Sequence, residues 1–249
     1  MLALLFLSAC HSRDQARAVF EAAQEHLGDG DYPGALSKYS EVVSRHQSSA
    51  YGPKSQYMIA SIQNRRFNDR QKAIESYSIL IYIYPESTEA VRARADLAEL
   101  YSGANDHRKA IEEYGAILRS GPPDAKRYVY AIAMEYVKMN DLRQARLELK
   151  GLLDSSGPGP IPQIKFDIAN TYYIEGDLKE ALSWYDAVIS EAPEGRLKIE
   201  ARFGKARALE EAGRLNEALA IYRALSGDYP NQEALRTRME WIEKRRAEP

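Results

Sequence analysis

Cys10 is the only cysteine in the chain, and it follows the apolar run Met1–Leu7 (MLALLFL) through Ser8 and Ala9. A lone thiol has no partner for an internal disulfide, which leaves its sulfur for chemistry with another molecule. The other groups able to carry proton or metal chemistry are scattered. His11, His26, His46 and His107 stand apart, none at a metal-binding spacing such as His-x-x-x-His, and His26 and His107 fall at helix ends. The carboxylate pairs Glu112-Glu113 and Glu210-Glu211 fall on helical surface and read as solvated charge. There is no Gly-x-x-x-x-Gly-Lys phosphate loop and no Gly-x-Ser-x-Gly elbow. The residues therefore predict no catalytic set, no metal site and no cofactor. The chemistry expected is recognition.

The elements that would position recognition residues are written in six copies of one pattern. Ala35, Ala73, Ala110, Ala145, Ala181 and Ala218 anchor the copies at spacings of 38, 37, 35, 36 and 37 residues. Four residues after the anchor stands Tyr39, Tyr77, Tyr114, Tyr185 or Tyr222, with Leu149 in the fourth copy. Five residues before it stands Gly30, Asn68, Asn105, Asn140, Gly176 or Gly213. These are the residue types that adopt the left-handed conformation ending a helix. Twelve residues before the anchor a small residue recurs: Ala23, Ser61, Ala98, Ala133, Ala169 and Ala206, with Ala60 as the alternative to Ser61. Pro85, Pro122, Pro193 and Pro230 stand twelve after it and close the unit. Each copy thus predicts a helix, a stop and a second helix. The two small residues let the pair approach closely, and the Tyr fills the gap to the next copy. No strand pattern is present, so the predicted class is all-α.

A final helix-like stretch, about Asn231–Arg246, has Leu235, Met239 and Ile242 on one face and Arg236, Arg238, Lys244 and Arg245 on another, as a terminal cap requires. The connector Ser155–Pro160 breaks the rhythm. It reads as an irregular loop or, alternatively, as a hinge between pairs one to four and pairs five and six. Of the 249 residues, 45% are hydrophobic and 28% charged, with 34 basic against 36 acidic. Such a balance lacks the basic stripe of a nucleic-acid binder. Its basic clusters, Arg65-Arg66 and Lys244-Arg245-Arg246, read as solvated helix faces.

The repeat resembles the tetratricopeptide repeat from about Ala16 to Asp228. That resemblance implies a right-handed solenoid of about six antiparallel helix pairs plus the C-terminal capping helix. Leu7-Ser8-Ala9-Cys10 resembles a bacterial lipobox, although no Lys or Arg precedes the apolar run as signal peptides normally require. It implies a signal peptide over residues 1–9, lipidation at Cys10, a tether over 10–15 and a repeat domain over 16–249. Ala22–Leu27, Gly30-Asp31-Tyr32, Tyr51–Ser55 and Tyr84-Pro85-Glu86-Ser87 resemble BamD-type lipoproteins of the outer-membrane β-barrel assembly machine. Together these imply a non-enzymatic scaffold that is lipid-anchored in the outer membrane, faces the periplasm and binds protein or peptide partners. Two alternatives accompany it: a pilotin-type lipoprotein that serves a secretin, or a regulator linked to the Tol-Pal system and the cell wall.

In tetratricopeptide proteins the first helix of each pair lines the inner groove, at positions eighteen, fifteen, eleven and eight before the anchor. Carried onto this sequence, the resemblance implies Gln24, Arg92, Glu99, Arg127, Tyr130, Met134, Asn170, Tyr173 and Arg207 as groove residues. Aromatic, Met and Arg side chains are those that dominate binding energetics. The densest group is Tyr130, Met134, Asn170 and Tyr173, suited to an extended peptide or a helix with an apolar side.

Overall fold

The computed structural model describes residues 2–155 and 160–247, with side chains over 14–155 and 160–246. Thirteen helices are present among them: α1 (Leu2–Gly28), α2 (Tyr32–Arg45), α3 (Gly52–Arg65), α4 (Arg70–Ile83), α5 (Thr88–Gly103), α6 (His107–Arg119), α7 (Ala125–Lys138), α8 (Leu142–Asp154), α9 (Ile161–Glu175), α10 (Leu178–Glu191), α11 (Arg196–Glu211), α12 (Leu215–Ala224) and α13 (Gln232–Ala247). The chain forms two compact units, Met1–Tyr128 and Val129–Pro249, whose boundary falls within α7. The expected break at Ser155–Pro160 rests on residues 156–159, which lie outside the described ones.

The backbone at each predicted stop is left-handed, with φ of +77° at Gly30, +53° at Asn68, +62° at Asn105, +59° at Asn140, +86° at Gly176 and +74° at Gly213. In five copies the next residue is an Asp that caps the following helix. Asp31 accepts from the Gly34 amide, Asp69 from Lys72, Asp106 from Lys109, Asp141 from Gln144 and Asp177 from Glu180, at 3.0–3.3 Å. Arg214 holds the sixth place, and α12 has no side-chain cap. Each such cap is worth about 1 kcal/mol.

All six anchor alanines are fully buried, and so are four of the five repeat tyrosines to within 1%, while Tyr114 is 8% exposed. Each Tyr packs against the next pair as expected: Tyr39 against Ile59 and Ile62, Tyr185 against Ala201 and Ala208, Tyr222 against Leu235 and Ile242. A further aromatic column runs fifteen residues before the anchor. Phe20 meets Tyr39 at 5.6 Å between ring centroids, Phe166 meets Tyr185 at 6.0 Å and Phe203 meets Tyr222 at 5.7 Å.

Two departures from the expected layout have physical causes. Helix α1 begins at Leu2 rather than Ala16, because no Gly or Pro interrupts residues 2–27, and the stretch read as a tether is helical. In the second copy Ala60, not Ser61, is the fully buried small residue. There the turn is one residue longer: the Asp69 amide bonds Gln63 O, six residues back, whereas Asp31, Asp106, Asp141 and Asp177 bond five back. The slip moves every α3 position one place from its expected offset, and Tyr57, whose ring is tilted against that of Tyr77 at 5.8 Å, therefore belongs to the aromatic column.

Candidate functional site

In the second unit the floor of a cleft is formed by the first helices of successive pairs, α9 and α11, with Met134 and Val137 of α7 at one side. Its position on these helices follows from the buried seams. Ile164 and Thr171 on α9, and Ala201 and Ala208 on α11, lie seven residues apart and are buried. The adjoining helical face then presents Asn170 and Tyr173, Phe203 and Arg207 to an opening of about 470 Å³. Met134, Asn170, Tyr173 and Arg207, all expected in a groove, line this one cleft together with Phe166, Phe203 and Tyr229.

The polar groups of the cleft are held by one another. The Asn170 Oδ1 accepts the Tyr185 hydroxyl at 2.7 Å, which turns the amide nitrogen away as a donor. The Arg207 guanidinium lies 4.5 Å over the Tyr173 ring, and its Nη2 donates to the Tyr173 oxygen at 2.9 Å. That hydroxyl donates in turn to Glu211. The Arg207 Nε is buried with no protein acceptor. Tyr130 does not line the cleft: its hydroxyl donates to Asp167 Oδ2 at 2.7 Å and ties α7 to α9. Gln163 also donates to Asp167, at 3.1 Å. Burial raises the Asp167 carboxyl above the usual range, while these two donors pull it back. Burial, and then the bond to Asp167, raises the Tyr130 phenol.

The remaining expected residues belong to the first unit. Gln24 on α1, Arg92 and Glu99 on α5 and Arg127 on α7 are exposed. The Arg127 guanidinium lies 5.6 Å over Tyr128 and 3.9 Å from Asp124. The first unit has its own carboxylate bridge, in which Asp96 accepts Tyr57 at 2.7 Å and Tyr77 at 2.9 Å. Burial foremost, then the bond to Asp96, pushes Tyr57 up to about 12. Asp96 and Asp167 stand fourteen before their anchors, so one device joins first helices in both units. Cys10 is in α1, with its side chain outside the described residues.

One groove residue was missed. Leu235 and Ile242 on α13 are buried seven apart, as on α9 and α11. That register puts Arg238 at the place of Asp167 and Trp241 at the place of Asn170 and Arg207. Arg238 donates to Glu210 at 2.9 Å, and Glu210 also accepts Tyr222 at 2.8 Å. Trp241, 44% exposed, borders a second opening of about 620 Å³ with Glu210, Ala234, Thr237 and Arg238. Thus α13 repeats, after the sixth pair, the burial register of α9 and α11. The signal was the apolar pair at seven-residue spacing, hidden because no anchor follows it. Among the described residues no group of three or more His, Cys, Asp or Glu is placed to hold a metal, and no helix is long and apolar enough to cross a membrane.

Residues 54–87, 130–196 and 172–240 each match a tetratricopeptide-repeat family. The fold is that of a tetratricopeptide-repeat protein. Solved structures agree over nearly the whole chain. A tetratricopeptide repeat protein from Parabacteroides merdae is 17% identical, with 93% of this chain and 88% of that one covered, at a TM-score of 0.66. PilW, a type IV pilus biogenesis factor, is 17% identical over 89% of this chain and 97% of its own, at 0.59. YrrB, a tetratricopeptide protein with an unusual peptide-binding site, is 15% identical over 81% and 97%, at 0.58. No curated protein sequence matches the chain. Tetratricopeptide folds act as protein-interaction scaffolds, and no catalytic family is indicated.

Proposed function

We propose that this tetratricopeptide protein is a lipid-anchored scaffold of the bacterial cell envelope, which holds a partner segment in the cleft of its second unit during assembly of a membrane complex. The observation that carries the reading is the cleft itself. Apolar walls from Met134, Phe166, Phe203 and Tyr229 surround the Asn170 amide and the Arg207 guanidinium, with the carboxylates Asp167 and Glu200 also on the lining. Such a composition suits a peptide that brings an apolar side chain and backbone carbonyls. Tyr130 and Tyr173 hold neighbouring helices in register, so their part is to shape the cleft.

The Leu7–Cys10 motif supports the anchor, and the repeat entry at Tyr51–Ser55 supports kinship with β-barrel assembly lipoproteins. The similarity to a type IV pilus biogenesis factor supports pilus or secretin assembly as the second reading. The test combines Met134→Ser with Arg207→Ala, both on the cleft lining, and recovers partners from detergent-extracted envelopes. With the fold intact by circular dichroism, the expected result is loss of the co-purifying assembly. Undiminished recovery rejects the cleft. A β-barrel protein among the lost partners favours the first reading, a secretin the second. Cys10→Ser should move the protein to the soluble periplasmic fraction, and retention on membranes after a high-salt wash rejects the anchor.

A further inference from the structure

The repeat supplies its own control for surface residues, and one copy departs from it. Six, nine and ten residues after the anchor, the second helix of a pair points outward. Five copies place Glu41, Ser44 and Arg45; Ala116, Arg119 and Ser120; Gly151, Asp154 and Ser155; Ala187, Ser190 and Glu191; and Ala224, Gly227 and Asp228 there. None is a large apolar residue. The second copy places Ile79, Tyr82 and Ile83, which are 46%, 87% and 37% exposed. They form a continuous stripe at i, i+3 and i+4 along the last two turns of α4. None is among the buried residues of the helix. The face of α4 that packs inside the first unit is Ala73, Ser76, Tyr77 and Leu80.

Size and charge choose the occupant. The exposed part of the three side chains amounts to about 350 Å², against the roughly 800 Å² that each partner of a stable dimer buries. An area of this size fits one face of a single short helix rather than the extended interface of a stable dimer. Along the chain, the exposed charges on either side of the stripe are carboxylates, Glu75 one turn before Ile79 and Glu86 three residues past Ile83. Lys72, the nearest cation on the helix, is held by Asp69 at 2.8 Å. An anionic lipid surface meets repulsion there, whereas a protein segment with basic flanks meets complementary charge. The short period of the stripe matches the ridge of a second helix.

We propose that Ile79, Tyr82 and Ile83 form a docking surface for an amphipathic helix of a partner protein, whose apolar side is flanked by Lys or Arg facing Glu75 and Glu86. This surface is separate from the cleft of the second unit and does not depend on it. The test uses the full chain and a fluorescein-labelled synthetic amphipathic helix of about 18 residues with Leu along one face and Lys at both flanks, beside a twin with Glu flanks. Fluorescence anisotropy should show the Lys-flanked helix binding about ten-fold or more tightly than its twin. Tyr82→Ser with Ile83→Ser should abolish that difference while leaving circular dichroism and the denaturation midpoint unchanged. Glu75→Lys with Glu86→Lys should reverse the preference between the two peptides. Equal binding of both peptides, binding indifferent to Tyr82→Ser, flotation with phosphatidylglycerol vesicles that requires Tyr82, or a dimer that requires Tyr82 each overturns the proposal.

Discussion

Gly204→Ala tests how tightly the second unit is packed around its cleft. Gly204 is in the middle of α11, where alanine is ordinarily favoured by about 1 kcal/mol. Here a Cβ would stand 2.6 Å from the Cε1 and Cζ of Tyr185 and 2.9 Å from its hydroxyl oxygen. Tyr185 is 1% exposed, and its hydroxyl is held by Asn170 at 2.7 Å, so the ring has no free direction in which to swing. Overpacking of this kind costs about 1–3 kcal/mol, and a Tyr185 hydroxyl pushed off Asn170 adds about 1 kcal/mol. The propensity gain offsets only part of this, and the expected net loss is about 1–3 kcal/mol. The assay is urea denaturation of the wild type, Gly204→Ala, Tyr185→Leu and the double variant. The double variant should show less loss than the sum of the singles, because leucine vacates the volume that the methyl needs. A midpoint for Gly204→Ala equal to or above the wild type, or strictly additive singles, would refute the reasoning.

Two further outcomes follow from single groups. Burial raises the Asp167 carboxyl above its unfolded range, so its contribution to stability is full below that range and is lost as pH rises through the folded value. The stability of Asp167→Asn relative to wild type should therefore increase from acid toward neutral pH and then level off, and parallel stability–pH curves would count against the assignment. Arg214→Asp gives α12 the cap that five other second helices possess, with Glu217 three residues on to complete a capping box. It should raise stability by about 0.5–1 kcal/mol, and a lowered denaturation midpoint would show that the exposed Arg214–Glu217 pair at 2.6 Å matters more than the cap.

The parts of this fold legible in the sequence are those where the backbone admits few residue types. A left-handed turn accepts Gly or Asn, and a close helix crossing accepts Ala, so Asn105 and Ala110 mark their places alone. The longer turn of the second copy showed in the sequence only as the choice between Ala60 and Ser61, because one added residue between Gln63 and Asp69 leaves no other mark in composition. That slip, with Ala95 in the third copy, also broke the aromatic column that Phe20, Phe166 and Phe203 otherwise reveal. The cleft was legible by offset for Met134, Asn170, Tyr173 and Arg207. The role of Tyr130 was not, since its hydroxyl is committed to a carboxylate on the next first helix. Trp241 was hidden because, although Leu235 and Ile242 were read as the apolar face of the cap, no anchor alanine follows them to give the offset. The unit boundary inside α7 has no counterpart in the amino-acid pattern, which continues through it.

The uncapped α12 has a consequence for how the molecule opens. At ten residues it is the shortest helix described, and α13 rests on it through Leu235 and Ile242. Local unfolding begins where hydrogen bonds and caps are fewest, so amides of α12 and α13 should exchange with solvent through an opening that leaves α9 and α10 closed. Trp241 and Arg238 belong to the part that opens. A ligand spanning them together with Arg207 therefore selects the closed form and slows exchange at the C-terminal end, which makes that end a reporter of occupancy as well as a lid on the stack.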